Sequence, residues 1–319
     1  MQTRQLGTTS IQVTPILMGT WQAGKSRWVG IEDADSIAAI RAAVEAGVTT
    51  IDTAEIYGQG HSEEIVAEAV SEIRDRLVYV TKVFPTHLQY DQVLEACEAS
   101  LQRLKTDTID LYFIHWPAGA FDSKVVPIEE TMSAMVKLKE QGKIRAIGVS
   151  NFSQHQLTEA AQYGRIDSLQ IPYSLFWRYV EQEAQAYCIQ EKITIFAYSP
   201  LAQGLLTGKF GPQHQFDPED NRASNKLFQG ENYARAQGAL AQLRPLAEQK
   251  GSTLAQLALA WVMAQPQTVA IAGARNATQA KDNAQAAQVT LSESELAEIG
   301  EIGRGVTDHL DSNPLMWNA

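Results

Sequence analysis

Short apolar runs alternate along the chain with longer stretches whose apolar residues recur at helical spacing. The runs fall at Ile16–Thr20, Thr49–Thr53, Val78–Val83, Ile109–Ile114, Ile144–Val149, Ser168–Ile171, Thr194–Ala197 and Thr268–Ala272. Their length fits buried strands. Between them Ile37, Ile40 and Val44 share one stripe, and Gly47 supplies a stop. Pro127 opens another helix, with Ile128, Met132 and Met135 inward and Gly142 closing it. Ser153 fits an N-cap, and Leu254, Leu257, Ala258 and Trp261 line a later helix. Before this rhythm begins, Thr3–Leu6 and Ile11–Pro15 flank Gly7 and predict a hairpin. Strand and helix alternating about eight times in 319 residues predicts a single domain over 1–319, an α/β (β/α)8 TIM barrel with an N-terminal hairpin. An open doubly wound sheet is the competitor, and the strand count favours the barrel. The stretch from Pro200 to Glu231, after the seventh run, carries Gly and Pro with little periodicity, which predicts a lid or binding segment.

The net charge is −11, which argues against nucleic-acid or anionic-membrane partners, since phosphate binding needs a basic footprint. Leu257 to Ala264, the longest apolar run, is too short to span a bilayer. Met1–Thr20 lacks the pattern of a signal peptide. Cys97 shares a helical stripe with Leu94, Leu101 and Leu104, and with only Cys188 besides it neither a disulfide framework nor a zinc site is expected. A cytoplasmic protein without metal is the expectation.

A parallel barrel carries its active site at the C-terminal ends of its strands. Three ionisable side chains stand at those ends: Asp52 in Thr49–Thr53, Lys82 in Val78–Val83, and His115 after Ile109–Ile114. Tyr57 lies in the loop that follows Asp52, within reach of the same mouth. A phenol with an ordinary pKa near 10 is a poor acid at neutral pH. A neighbouring ammonium lowers that pKa, and a carboxylate keeps the ammonium charged and oriented. An imidazole beside the hydroxyl can hold a substrate carbonyl. Tyr57 as proton donor, Lys82 as its tuner, Asp52 as the orienter of Lys82 and His115 as carbonyl binder therefore fit reduction of a small carbonyl substrate.

Ile51-Asp52-Thr53-Ala54-Glu55-Ile56-Tyr57-Gly58, Thr81-Lys82 and Ile114-His115-Trp116-Pro117 resemble the catalytic tetrad of the aldo-keto reductases. The resemblance runs from about Leu6 to Ile299. It implies a (β/α)8 barrel, NADP(H)-dependent reduction of aldehydes or ketones, and these four residues in the roles above. No dinucleotide fingerprint or P-loop is present: Gly58-Gln59-Gly60 lacks the third glycine, and Gly204–Lys209 has the wrong spacing. By resemblance, Ser150, Asn151 and Gln170 hold the nicotinamide carboxamide, and Thr20 and Trp21 edge the nicotinamide site. Tyr173 resembles the aromatic that stacks on the ring. Tyr198, Ser199, Pro200, Leu201, Ala202, Gln203 and Gly204, with Lys209, look like the segment covering the pyrophosphate, so the long loop becomes a cofactor clamp. Within it Arg222 stands where related reductases place a phosphate-binding arginine.

After the last strand come Gly273 and Arg275, then Gln279, Asp282 and Asn283 on one helical face, within reach of adenosine. Arg275 offers a planar cation to a 2′-phosphate, which favours NADP over NAD. Gly273, Ala274 and Gln279 depart from the better-known branch, which has Lys, Ser and Arg there. The chain instead resembles the bacterial branch related to potassium-channel β-subunits. That branch supplies the alternative, an NADP-binding redox-sensing or regulatory protein with slow turnover, although its subunits typically have Asn in place of His115. A Schiff-base aldolase using Lys82 leaves Tyr57 without a purpose. Trp21, Trp28, Phe84, Trp116 and Trp177 are candidates for an aromatic substrate pocket, and the tail from Asp308 to Ala319, with Trp317, for a cover over the mouth. The oligomeric state is not legible.

Overall fold

The hairpin and all eight apolar runs form strands in the computed structural model, which describes residues 1–26, 28–217 and 220–311. The hairpin is β1 (Arg4–Gln5) against β2 (Gln12–Val13), antiparallel. The eight strands that follow are β3 (Ile16–Gly19), β4 (Thr50–Asp52), β5 (Val78–Val83), β6 (Ile109–Ile114), β7 (Ile144–Ser150), β8 (Ser168–Pro172), β9 (Thr194–Tyr198) and β10 (Thr268–Gly273). Each pairs in parallel with the next, and β10 closes on β3 with Ala270 opposite Ile16.

Alternation along the strands sorts their side chains into two cores. Leu17, Val80, Leu111, Phe113, Ala146, Phe196 and Val269 fill the barrel interior. Ile16, Tyr79, Ile114, Ile147 and Leu169 belong to the larger layer shared with the helices. Leu6, Ile11 and Val13 of the hairpin join the interior cluster and plug the N-terminal end with apolar surface. Phe113 fits because Gly148 faces it; a Cβ there would stand 2.4 Å from its ring. With its lower end closed, the barrel presents its polar interior positions at the opposite mouth.

Local signals act as read. Ser153 caps the helix Gln154–Ala160 by accepting from the Gln156 amide. Gly47 and Gly142 take φ of 91° and 73° beyond their helices, a region open to glycine without a Cβ clash. Cys97 is buried in the helix Tyr90–Leu104, and burial pushes its thiol up to about 12. Pro200–Glu231 is not featureless. It contains short helical turns over Ala202–Thr207, Asn221–Ser224 and Lys226–Phe228. An aromatic cluster of Phe210, His214, Phe216, Phe228 and Tyr233 holds it. The tail expected over the mouth lies, from residue 312 and including Trp317, outside the described residues. Asp311, the last before it, is bound by Lys226 Nζ at 2.7 Å. Among the described residues no helix is long and apolar enough to cross a membrane, and no cluster of metal-ligating side chains occurs.

Candidate active site

Asp52, Lys82 and His115 share the inward parity of β4, β5 and β6, and the structure brings them together with Tyr57 at the mouth. Lys82 Nζ donates to Asp52 Oδ2 at 2.8 Å and to the Thr53 carbonyl at 2.6 Å. It stands 3.5 Å from the Tyr57 hydroxyl, at the long limit of a hydrogen bond. Gln170, from β8, donates to the other Asp52 oxygen at 2.9 Å. Lys82 has no exposed side-chain surface. The His115 ring meets Tyr57 edge-on, with centroids 5.8 Å apart, and its Nδ1 is buried without a partner among the described residues.

These surroundings fix protonation states. Burial, then the Asp52 charge, push the Tyr57 phenol well above 10. This corrects the expectation of a lowered phenol pKa: the Lys82 charge is spent on Asp52 and the Thr53 carbonyl, while Asp52 opposes the phenolate. Lys82 itself is lowered by burial, with Asp52 pulling it back. Burial and the Lys82 ammonium push His115 well below 6.5, so its imidazole is neutral at pH 7 and has one nitrogen free to donate. A neutral His115 and a protonated Tyr57 offer a carbonyl oxygen two donors. It follows that kcat/KM for carbonyl reduction should show no break near pH 6.5; a rate–pH profile with an imidazole-like step there would contradict this assignment.

Thr20, expected at the edge of the nicotinamide site, is tied into the support of Asp52. It is fully buried, its hydroxyl donates to the Asp52 carbonyl at 3.0 Å, and it accepts from Ser62 at 2.7 Å. Trp21 does face the mouth, its ring 6.4 Å from that of Tyr57. Asn151 ties three strand ends together: its amide donates to the His115 carbonyl at 3.1 Å and to Ser150, and it accepts from the Tyr198 hydroxyl at 2.8 Å. Tyr173 is a second correction. Its ring packs edge-on against Trp261 and its hydroxyl donates to Glu181, so it lies in the layer between barrel and helices. The reason is parity: Gln170 points inward, hence Leu169, Ile171 and Tyr173 do not. Tyr198, on inward parity with Phe196, is the aromatic left at the mouth. Trp177 also leaves the pocket, buried in the outer core.

The clamp has a backbone feature that the sequence did not announce. Ser199, Ala202, Gln203 and Gly204 all take positive φ, from 48° to 95°. Non-glycine residues seldom do so; within this run the Ala202 and Gly204 amides donate to the Ser199 and Leu201 carbonyls, at 2.8 and 2.9 Å. Pro200 and Leu201 lie between them. Beyond this turn, burial and then the charge of Arg222 lower both Lys209 and Arg275. Asp220 grips Arg222 with both oxygens, at 2.8 and 2.5 Å. Among the described residues, no carboxylate forms an ion pair with Lys209 or Arg275. Among the described residues, Asp220 is the carboxylate set against these three cations, a balance suited to an anion. Gln279 accepts from the Arg275 amide at 2.9 Å, Asn283 donates to the exposed Gly273 carbonyl at 3.1 Å, and Asp282 is exposed on the same helix.

Sequence reasoning missed several supports. Ser62, buried, bridges Thr20 and Thr53. Glu63, buried, takes Arg103 and the hydroxyl of Thr81, next to Lys82. Gln22 joins Gly19 to Ala274 across the barrel seam. Glu63 had a faint signal, a carboxylate at the first turn of a helix beside the Tyr57 loop; Ser62 and Gln22 had none. Phe121, outside the residues read as pocket, stacks on Phe84 at 5.5 Å and meets Trp116 edge-on, which extends an aromatic wall outward from His115.

A family model described as the aldo/keto reductase family matches residues 15–304. An aldo-keto reductase of Bacillus subtilis, YhdN, is 37% identical, with 95% of this chain and 93% of that protein covered. The NADH-specific methylglyoxal reductase of Escherichia coli is 34% identical, over 94% of this chain and 98% of its own. The structure of an aldo/keto reductase from Klebsiella pneumoniae in complex with NADP and acetate superposes with a TM-score of 0.77 at 33% identity, covering 98% of each chain.

Proposed function

The chain belongs to the aldo/keto reductase family, and from that premise we propose that it reduces small aldehydes or ketones to alcohols with NADP(H). The observation that carries the reading is the buried Asp52–Lys82 pair set against the Tyr57 hydroxyl, beside a neutral His115. The residues present fit the cofactor. Tyr198, Asn151 and Gln170 stand at the mouth for the nicotinamide, with Ser150 and Trp21 beside them. The tight turn from Ser199 to Gly204 stands where a pyrophosphate would be covered, and the Lys209–Arg222–Arg275 cluster suits a 2′-phosphate. Bound there, NADPH supplies a hydride to the carbonyl carbon. His115 and Tyr57 hold the carbonyl oxygen by hydrogen bonds, and Tyr57 passes its proton to that oxygen. The ammonium of Lys82 faces the phenolate that donation leaves. Asp52, fixed by Gln170, keeps Lys82 aimed. The wall of Trp21, Phe84, Trp116 and Phe121 favours substrates with apolar substituents. A screen of NADPH oxidation over aldehydes, ketones and dicarbonyls tests the reading; no turnover with any of them, despite tight cofactor binding, would favour the redox-sensing alternative.

Relatives of similar identity divide on the cofactor, one NADH-specific and one crystallised with NADP, so the choice rests on this chain's own residues. A guanidinium grips a phosphate through paired charge-assisted hydrogen bonds. Loss of that contact costs about 1.5–3 kcal/mol, or roughly one to two decades of affinity. Arg275→Ala should therefore weaken NADPH binding by about 10- to 100-fold and leave NADH nearly unchanged. Titration of both cofactors against both proteins checks it, and equal losses would remove Arg275 from the 2′-phosphate site.

A further inference from the structure

The loop between β3 and the helix Asp33–Glu45 carries an aromatic residue that the substrate pocket does not use. Trp28 meets Trp21 edge-on at 5.3 Å, but its ring lies toward the phosphate end of the site. Arg275 Cζ stands 5.4 Å from its centroid and Arg222 Cζ 5.7 Å. These two guanidinia come from different loops, one after β10 and one in the clamp after β9. Arg222 is held by other groups besides: Asp220, and the face of Phe216 at 4.5 Å. For Arg275, Trp28 is the ring within reach, and Arg222 repels it. The indole Nε1 is buried with no hydrogen-bond partner among the described residues. A buried N–H donor left open beside three cations is matched to an anionic acceptor.

The Trp28 amide donates to the Lys25 carbonyl at 3.1 Å, which ties the indole to a held stretch of the loop. Lys25 Nζ reaches Asp33 at 2.9 Å, and His61 binds the same carboxylate at 2.8 Å. Next to Lys25, Gly24 presses on the backbone of Tyr57, where a Cβ would come within 2.5 Å. An aromatic face attracts guanidinium through its quadrupole, most strongly when water is excluded. A fixed indole facing both arginines holds them at a set spacing despite their mutual repulsion.

We propose that Trp28 is a specificity-determining residue for the cofactor, joining Arg222 and Arg275 into one site for a terminal phosphate monoester and so favouring NADPH over NADH. The inference rests on the reading that these arginines meet the 2′-phosphate. Calorimetric titration of wild type, Trp28→Ala, Trp28→Phe and Arg275→Ala with NADPH, NADH, 2′,5′-ADP and 5′-AMP tests it without turnover and without indole fluorescence. Trp28→Ala should weaken NADPH and 2′,5′-ADP about five- to tenfold, with NADH and 5′-AMP changed less than about twofold. Trp28→Phe keeps a face without the N–H, and should recover part of the loss. In the Arg275→Ala background, Trp28→Ala should change the NADPH/NADH ratio by a smaller factor than it does alone. Equal losses for both cofactors, or no loss, overturn the role of Trp28. Selective loss in Arg275→Ala without selective loss in Trp28→Ala defeats this inference alone. No selective loss in either variant defeats the phosphate reading and the inference with it.

Discussion

Replacing Tyr57 by phenylalanine is expected to lower kcat for carbonyl reduction by about 10²–10⁴-fold, the usual worth of a positioned general acid. The substitution isolates the chemistry because it disturbs little else. Lys82 keeps Asp52 and the Thr53 carbonyl as acceptors when the hydroxyl goes. Cofactor affinity and melting temperature should therefore stay close to wild type. The direction of reaction adds a second reading of the same group. With its phenol pushed well above 10, Tyr57 stays protonated for reduction throughout the neutral range. Alcohol oxidation needs the opposite state, so its rate should climb with pH while reduction does not. Single-turnover kinetics in both directions, across pH, checks both statements. Near wild-type hydride transfer in the phenylalanine variant would remove Tyr57 from the proton path.

Lys82→Met is expected to lose reduction by a comparable factor, about 10²–10⁴-fold, as the charge facing the nascent phenolate disappears. Here the rate is not the only casualty. Asp52 is buried and would keep only Gln170 as a side-chain donor. Breaking a buried pair by removing one partner costs about 3–5 kcal/mol, because the other charge is stranded. The double variant Lys82→Met/Asp52→Asn removes both charges and should recover much of the melting temperature without recovering the rate. That split separates support of the fold from support of the reaction. Recovery of rate together with stability would mean that Lys82 serves the barrel alone. A single variant that keeps its rate and its pH profile would do the same.

The barrel was legible because its signal is local. Runs such as Val78–Val83 and Ile109–Ile114 are apolar on both parities, since strands packed inside and outside have no wet face, and both occupy the bounds read from the sequence. Gly47, Gly142 and Pro127 act through their own backbones and Ser153 through an amide three residues on, so their roles also show in one dimension. Asp52, Lys82 and His115 stood out because an ionisable residue at the end of a buried strand has few structural reasons to be there. Their convergence followed once the strands were taken to be parallel.

What the sequence by itself determined, then, was the succession of strands, their closure into a barrel and the identity of the polar residues at its mouth. Tertiary structure decided which way side chains face and which charges meet. Tyr173 and Tyr198 look alike as letters, yet strand parity, fixed by Gln170 turning in to Asp52, sends one behind the barrel and leaves the other at the mouth. The sign of the Tyr57 shift likewise depended on depth and on Lys82 being spent on Asp52, quantities that no spacing encodes. Arg222, Arg275 and Trp28 are far apart in sequence, and their grouping needed three loops to fold over one another. Burial and electrostatics are properties of the whole packed chain, whereas periodicity and turn chemistry belong to a few residues at a time.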